Sequence, residues 1–415
     1  MRIKLKYISR INMGQSPEQE SVNQEGVGTP FLQGKAEFGE SHPIPVNYCV
    51  KANKFSMPND ILMSVRAPVG SLNLSDQKYV IGRGLCSITP KDDVDRDYLL
   101  YGLIEANSRL LTLVKGSTFE AVTTEDVKNL EIKIPSNLEE QRIISKFLSK
   151  KDKKINDLII SKNKLIDLLE QQRQSIITEA VTKGLNSNVK IKNSGVEWIG
   201  DIPEHWDLSK VGYLGRLQNG ISKSSDEFGF GSPFISYGDV YKNEVLPKVA
   251  SGLVNATEKD KKLYSVEYGD VFFTRTSETI DEIGIASTCF ETINEATFAG
   301  FLIRFRPITN RLSPRFARFY FRSALGKRYF VKEMNLVTRA SLSQGLLRNF
   351  TVLLPSLEEQ EEIASYLKKK TLAIEESITL IKNQIEKLKE YRQSLIYEAV
   401  TGKIDVRDME LDEVR

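Results

Sequence analysis

The sequence predicts an α+β chain in which two mainly β domains alternate with two long helices. Three observations carry this. A stretch of 45 residues occurs twice, at 138–182 and 357–401, with no gap and about 20 of 45 positions identical. Neither copy contains proline or glycine. Outside the copies, short β-branched and aromatic runs are punctuated by glycine, proline and asparagine, and their anchors recur in the same order in two blocks.

The repeated stretch has the features of a helix at both ends. "IPSNLEEQ" and "LPSLEEQ" place a proline before each copy, Ser136 or Ser356 as a cap, and acidic residues in the first turn. The copies run out at "RQSIITEAVTKG" and "RQSLIYEAVTGK", with Gly184 and Gly402 as stops. Apolar residues recur every seven positions. The first copy has Leu148, Ile155, Leu169 and Ile176, with Ile159 and Ile166 beside them; Lys162 interrupts the stripe. The second has Leu367, Ile374, Ile381, Leu388 and Leu395, with Ile378 and Ile385. That period specifies a left-handed coiled coil. A helix of some 40 residues is about 60 Å long, a strut and not the core of a small domain. Two such struts can pack on each other in either orientation, or each can bind another protein.

The β blocks share short anchors. "KLKYISRINMG" parallels "LSKVGYLGRLQNG", "TPFLQGK" parallels "SPFISYGD", and "LEIKIP" parallels "FTVLLP". "DILMSVR" parallels "DVFFTR", which sets Arg66 and Arg275 at matching positions. Helices are expected near 97–113 and 314–334. The chain thus divides into a first domain at 1–135, a central helix at 136–185, a linker and second domain at 186–355, and a C-terminal helix and tail at 356–415.

A chain of 415 residues with 40% hydrophobic and 27% charged residues has the composition of a soluble globular protein. No apolar run approaches the ~20 residues of a membrane span, and the N-terminus lacks a signal-peptide core, so a cytoplasmic protein is expected. Cys49, Cys86 and Cys289 form no CxxC pair and are expected to be buried small hydrophobes, with no metal site. The net charge of +3 means that any basic binding face must be local.

"LPSLEEQEEIASYL" with its long helix and "RQSLIYEAVTGK" resembles the conserved region of the specificity subunits of Type I restriction–modification systems. "GVEWIGDIPEHWDLSKVGYL" is similar to the lead-in of one of their target-recognition domains. The likeness spans essentially the whole chain. It implies two target-recognition domains and two conserved helices packed as an antiparallel coiled coil, with a pseudo-two-fold internal repeat. It implies a non-catalytic chain that binds double-stranded DNA, two methyltransferase subunits and, as an option, two motor-nuclease subunits. S-adenosylmethionine, ATP and Mg then belong to those partners and no cofactor to this chain. One departure is visible: the first domain begins at Met1 without the "GVEWIG…HW" lead-in, which suggests a trimmed edge. Unlike domains on a rigid strut imply a bipartite, asymmetric target with a fixed spacer.

Affinity for DNA requires Lys and Arg against phosphate, and sequence reading requires polar side chains at base edges. Residues 302–332 hold nine basic residues and no acid. Within them Arg311, Arg315, Arg318 and Arg322 recur at helical spacing and would form one stripe. Arg66, Arg83, Arg275 and Arg339 end expected strands. Gln33, Lys35, Ser117, Ser236 and Tyr237 lie in candidate loops. The repeated strut ends, Arg173, Gln174 and Glu179 with Arg392, Gln393 and Glu398, are candidate docking residues for two identical partners.

No P-loop, adenine-methyltransferase stretch or nuclease carboxylate cluster is present, and His42 and His205 have no triad setting. His205 in "PEHWDL" is expected to be a packing or turn residue. The sequence therefore points to a non-enzyme. A DNA-recognition subunit is the first reading, and a coiled-coil adaptor binding two protein clients without DNA is the alternative.

Overall fold

A computed structural model describes residues 2–115, 121–277, 282–333, 340–407 and 409. Residues 1–163 and 382–415 make one compact unit, and residues 164–381 make the second.

The first unit is built on a four-stranded antiparallel sheet. Its strands are β1 (Ser9–Met13), β2 (Ile61–Ser64), β3 (Leu72–Leu74) and β4 (Leu85–Pro90), in the order β1-β4-β2-β3. β2 is buried along its whole length. Its side chains alternate between two cores. Ile61 and Met63 join the core shared with helix α1 (Arg96–Lys115), and Leu62 joins a smaller one under a five-stranded sheet. A strand covered on both faces needs no polar alternation, which is why "ILMS" is nearly continuous in apolar residues. Arg2–Lys4 pairs with Glu131–Lys133, so the domain ends where it begins.

Helix α2 (Leu138–Lys183) follows, 46 residues long. Its first part packs in this unit on the last part of α5 (Leu357–Val400), bringing Ile144, Phe147 and Leu148 into one core with Leu395, Ile396 and Ala399. Arg392 Nε lies 2.6 Å from Asp152 Oδ1, and Lys162 donates to Gln384 Oε1 at 2.6 Å. Rising numbers on one helix meet falling numbers on the other, so the pair is antiparallel. Lys162, the break in the apolar stripe, thus makes a polar contact across the seam.

The second unit repeats the plan. Strands β5 (Gly215–Asn219), β6 (Val271–Thr274), β7 (Ala286–Thr288) and β8 (Leu302–Pro307) form an antiparallel sheet in the order β5-β8-β6-β7. Val271 and Phe273 enter one core and Phe272 another. Asp207–Lys210 closes on Thr351–Leu354. Where the first unit has α1, this one has α3 (Pro314–Arg322) and α4 (Ala324–Glu333). The last part of α2 and the first part of α5 share its core, with Ile177, Ala180 and Val181 alongside Ile363, Ala364 and Leu367.

The glycines that close the shared anchor have one cause. A Cβ on Gly14 would stand 2.1 Å from the Gly82 carbonyl oxygen, and one on Gly220 2.2 Å from that of Ala299. All three cysteines are free and buried, and burial pushes the Cys86 thiol up to about 12. No helix of the described residues is long and apolar enough to cross a membrane.

Candidate nucleic-acid interface

In the first unit a tight turn at 82–84 joins the strand Tyr79–Ile81 to β4 and leaves Arg83 exposed. Gln33 lies over it, close enough that a Cβ on Gly84 would meet the Gln33 carbonyl oxygen at 2.6 Å. The Gln33 amide donates to Ser16 Oγ at 3.3 Å. Val65 N–H donates to the Gly84 carbonyl at 2.9 Å, which sets exposed Arg66 beside the same turn. Gln33, Lys35, Arg66 and Arg83 are therefore brought to one polar loop cluster, each of them exposed.

The second unit builds the same turn from other residues. Arg275 N–H donates to the Phe301 carbonyl at 2.9 Å, and its guanidinium to that of Gly300 at 3.4 Å. Phe301 is 64% exposed. Ser64 and Thr274 occupy the same register against Leu85 and Leu302. Arg275 therefore stands at the position of Val65, and Arg66 matches Thr276, so the two arginines are offset by one residue. Bridges of Arg66 to Ala121 and of Thr276 to Ser341 agree. The two arginines therefore leave the chain one residue apart, from non-equivalent positions. Ser16 and Phe301 had no distinct mark in the sequence; the glycines that allow the turns were the available signal.

The basic run does not form a free stripe. Arg311 pairs with Asp207 at 2.8 Å and Arg315 with Glu361 at 3.3 Å, with side chains 51% and 71% exposed. Arg318 turns inward to Glu244 at 2.8 Å. Arg322 donates to the Tyr241 carbonyl at 3.0 Å. Burial, with Arg173 and Arg318 nearby, holds the Arg322 guanidinium below its usual range, although Glu244 opposes this. Arg306 clamps buried Asp270 at 2.6 Å. The run contains no acid because its acids come from elsewhere in the fold. Arg318 and Arg322 are thus committed to packing, which removes them from a phosphate-facing stripe.

Ser236 spends its hydroxyl as an N-cap, accepting from Asp239 N–H at 3.2 Å, and Tyr237 stacks on Tyr241. Ser117 and Arg339 lie outside the described residues.

Of the candidate docking residues, the arginines are structural. Arg173 pairs with Glu244 and, at 3.4 Å, with Glu375. Burial raises the Glu244 carboxyl, but Arg173, Arg318 and Arg322 outweigh it and hold the group below its ordinary value. Arg392 pairs with Asp152, whose carboxyl burial pushes up. Gln174 and Glu179 are exposed on α2 and line a groove of about 1120 Å³ in the second unit, together with Lys183, Arg328 and Tyr366. Gln393 is exposed and Glu398 half-buried on α5.

The repeated "LEEQ" has a role that its sequence did not disclose. Gln141 is buried. Its oxygen accepts from Asp95 N–H at 2.8 Å, and its amide donates to the Pro135 carbonyl at 3.0 Å and the Asp93 carbonyl at 3.3 Å. Gln360 does the same with Ser313 N–H at 2.8 Å and the carbonyls of Pro355 at 3.0 Å and Arg311 at 2.8 Å. Each glutamine latches a strut to the first turn of its own domain's helix. His205, exposed in a turn, donates to Glu359 Oε2 at 3.0 Å.

Two domains of one topology, each latched to a repeated strut and each presenting a different polar turn, define a duplicated reader of an extended ligand. A family model described as the Type I restriction modification DNA specificity domain matches residues 1–170 and 203–390. The chain belongs to that family. A relative from Methanocaldococcus jannaschii, named for the MjaX type I restriction enzyme specificity subunit, is 43% identical over 174 residues, spanning 42% of this chain and 40% of that one. The Escherichia coli EcoBI specificity subunit is 21% identical over 97% of this chain and 86% of its own. A solved chain from work on assembly and conformational transition of the type I R-M system superposes with a TM-score of 0.74, at 16% identity, over 97% of this chain and 98% of that one. These findings support the DNA-specificity reading and not the adaptor.

Proposed function

We propose that this chain is the sequence-recognition subunit of a Type I restriction–modification complex. Each domain reads one half of a bipartite, asymmetric site in double-stranded DNA, and the helices set the spacer and dock two methyltransferase subunits. One observation carries the reading: matching turns on matching sheets present Arg83 and Arg66 in one domain and Phe301 and Arg275 in the other. A shared scaffold with unlike tips is what two different half-sites require. Arg311 and Arg315, exposed and held by single carboxylates, remain available to phosphate. Methyl transfer, with S-adenosylmethionine, and cleavage, with ATP and Mg, belong to the partner subunits, two motor-nuclease chains among them where the system cuts; the assembly works in the cytoplasm.

Sequencing that detects N6-methyladenine, in the source strain with and without this gene, tests the reading. Loss of one gapped, asymmetric motif is expected. An unchanged methylome in a strain whose cognate methyltransferase is active would overturn it. Glu179→Lys is expected to weaken one partner site and spare the other; equal binding at both, near the dissociation constant, would count against two matched docking surfaces.

A further inference from the structure

The exposed tips of the two units are one turn built twice. In the first unit residues 82–85 form a turn that Leu85 N–H closes on the Gly82 carbonyl at 3.0 Å. In the second, residues 299–302 form a turn that Leu302 N–H closes on the Ala299 carbonyl, also at 3.0 Å. The same neighbouring backbone holds each. Gly82 N–H donates to the Leu32 carbonyl at 2.8 Å, and Ala299 N–H to that of Ile235 at 3.0 Å. The central residues differ: Arg83 and Gly84 in the first turn, Gly300 and Phe301 in the second. Each central pair therefore projects one side chain, a cation in one unit and an apolar ring in the other. Phe301 is 64% exposed. Its backbone is pinned by Arg275 N–H at 2.9 Å and, one residue earlier, by Gly300 N–H on the Ile221 carbonyl at 2.8 Å. Exposed Ser222 stands beside the turn, where a Cβ on Gly300 would meet its Oγ at 2.6 Å.

We infer that Phe301 reads thymine, its ring packing on the 5-methyl group in the major groove of the half-site that the second unit covers. The inference rests on the reading that this chain recognises DNA, and it adds which base and through what chemistry. The matching turn argues for DNA as the surface that Phe301 meets. The same place on the shared scaffold carries exposed Arg83, a side chain suited to phosphate or to a guanine edge. A phenyl ring has no hydrogen-bond donor and no strong acceptor. Over a G·C pair it would cover base-edge donors and acceptors and leave them unpaired, which costs affinity. Thymine alone puts an apolar group on the major-groove edge. A pinned turn also loses little conformational freedom when the ring docks.

The test uses the complete complex with its methyltransferase subunits, and synthetic duplexes carrying the gapped motif found in the methylome. Each thymine of the motif, on either strand, is replaced in turn by deoxyuridine, which removes only the 5-methyl group. At one position in one half-site, wild type is expected to lose about four-fold in affinity, the worth of one buried methyl. Phe301→Ala is expected to bind the unmodified duplex about four-fold or more weakly, and to lose nothing further at that deoxyuridine. Phe301→Leu, which keeps an apolar side chain, is expected to keep part of the methyl preference. Melting temperatures matching wild type are expected for both variants, because the ring is exposed. A motif without thymine, no deoxyuridine penalty at any position, or the same penalties in wild type and Phe301→Ala would overturn the inference. Methylation at the target, followed in the same preparations, separates the two readings. Specific methylation with no methyl preference traceable to Phe301 sinks the thymine contact alone. A complex that assembles and methylates without sequence preference sinks both.

Discussion

The two units share a sheet order, a closing strand pair and a glutamine latch, yet they fasten domain to strut by different means. In the second unit three arginines from two elements converge on Glu244, and Arg173 and Glu244 are only 14% and 17% exposed. In the first unit the matching arginine, Arg392, meets Asp152, which its surroundings disfavour as an anion. The second unit also has Trp206 and its lead-in, where the first has a groove. The shared elements hold the common fold, while each unit fastens its domain to the struts with its own set of side chains.

The largest test of this contrast is Glu244→Ala. Removing one member of a buried ion network leaves like charges uncompensated and costs about 3–5 kcal/mol, so thermal or denaturant unfolding of the second unit is expected to shift strongly. Asp152→Asn is expected to change stability by less than ~1 kcal/mol, because the carboxylate it removes is penalised by burial. Equal losses would break the comparison.

The glutamine latches should behave alike. Gln141→Ala and Gln360→Ala each strand a buried backbone N–H and two carbonyls, at a cost of about 1–3 kcal/mol in the unit concerned. A loss confined to one would show that the matched hydrogen bonds are not equivalent.

Acid sharpens the contrast further. The Glu244 carboxyl is depressed in the fold, so its stabilisation is full above its unfolded value and fades as pH falls through the folded value. The deficit of Glu244→Gln relative to wild type is therefore expected to shrink below about pH 4.5. Asp152 is raised, so the sign reverses: protonation favours the fold, and wild type gains on Asp152→Asn as pH falls. Denaturant midpoints measured between neutral and acid pH check both slopes.

The smallest effects are expected at the turns. Arg83→Ala should reduce DNA affinity and lower the salt slope by about 1 if it meets phosphate, or relax one base position by about 1–3 kcal/mol if it meets a base edge. Phe301→Ala should leave the salt slope unchanged, since no charge is removed. A change of that slope would break the distinction between the two tips.

Much of this architecture was legible because it is periodic. The stripe of Leu148, Ile155, Ile381 and Ile385 is buried as its seven-residue spacing requires, and the repeat made the duplication plain. Antiparallel packing came from family likeness, since spacing alone left the orientation open. What stayed hidden was tertiary. The run from Arg304 to Lys332 contains no acid, yet Asp207, Glu244, Asp270 and Glu361 arrive from distant positions to neutralise it. Nor could "DILMSVR" and "DVFFTR" disclose the single-residue offset that sends Arg66 and Arg275 to different places; only the pairing of β2 with β4 and β6 with β8 fixes it.

The first unit joins the beginning of the chain to its end: Tyr98 donates its hydroxyl to the Val400 carbonyl at 3.2 Å, 302 residues away. A ribosome adds roughly 5–20 residues per second. The first part of α2 therefore emerges about 10–50 s before the part of α5 that covers it, with Ile144, Leu148 and Ile155 bare to solvent throughout. In the second unit Ile177, Ala180 and Val181 wait likewise for Ile363 and Leu367, over a shorter stretch of chain. During synthesis the half of the molecule made first is the half completed last, and that interval is when a chaperone has most to protect.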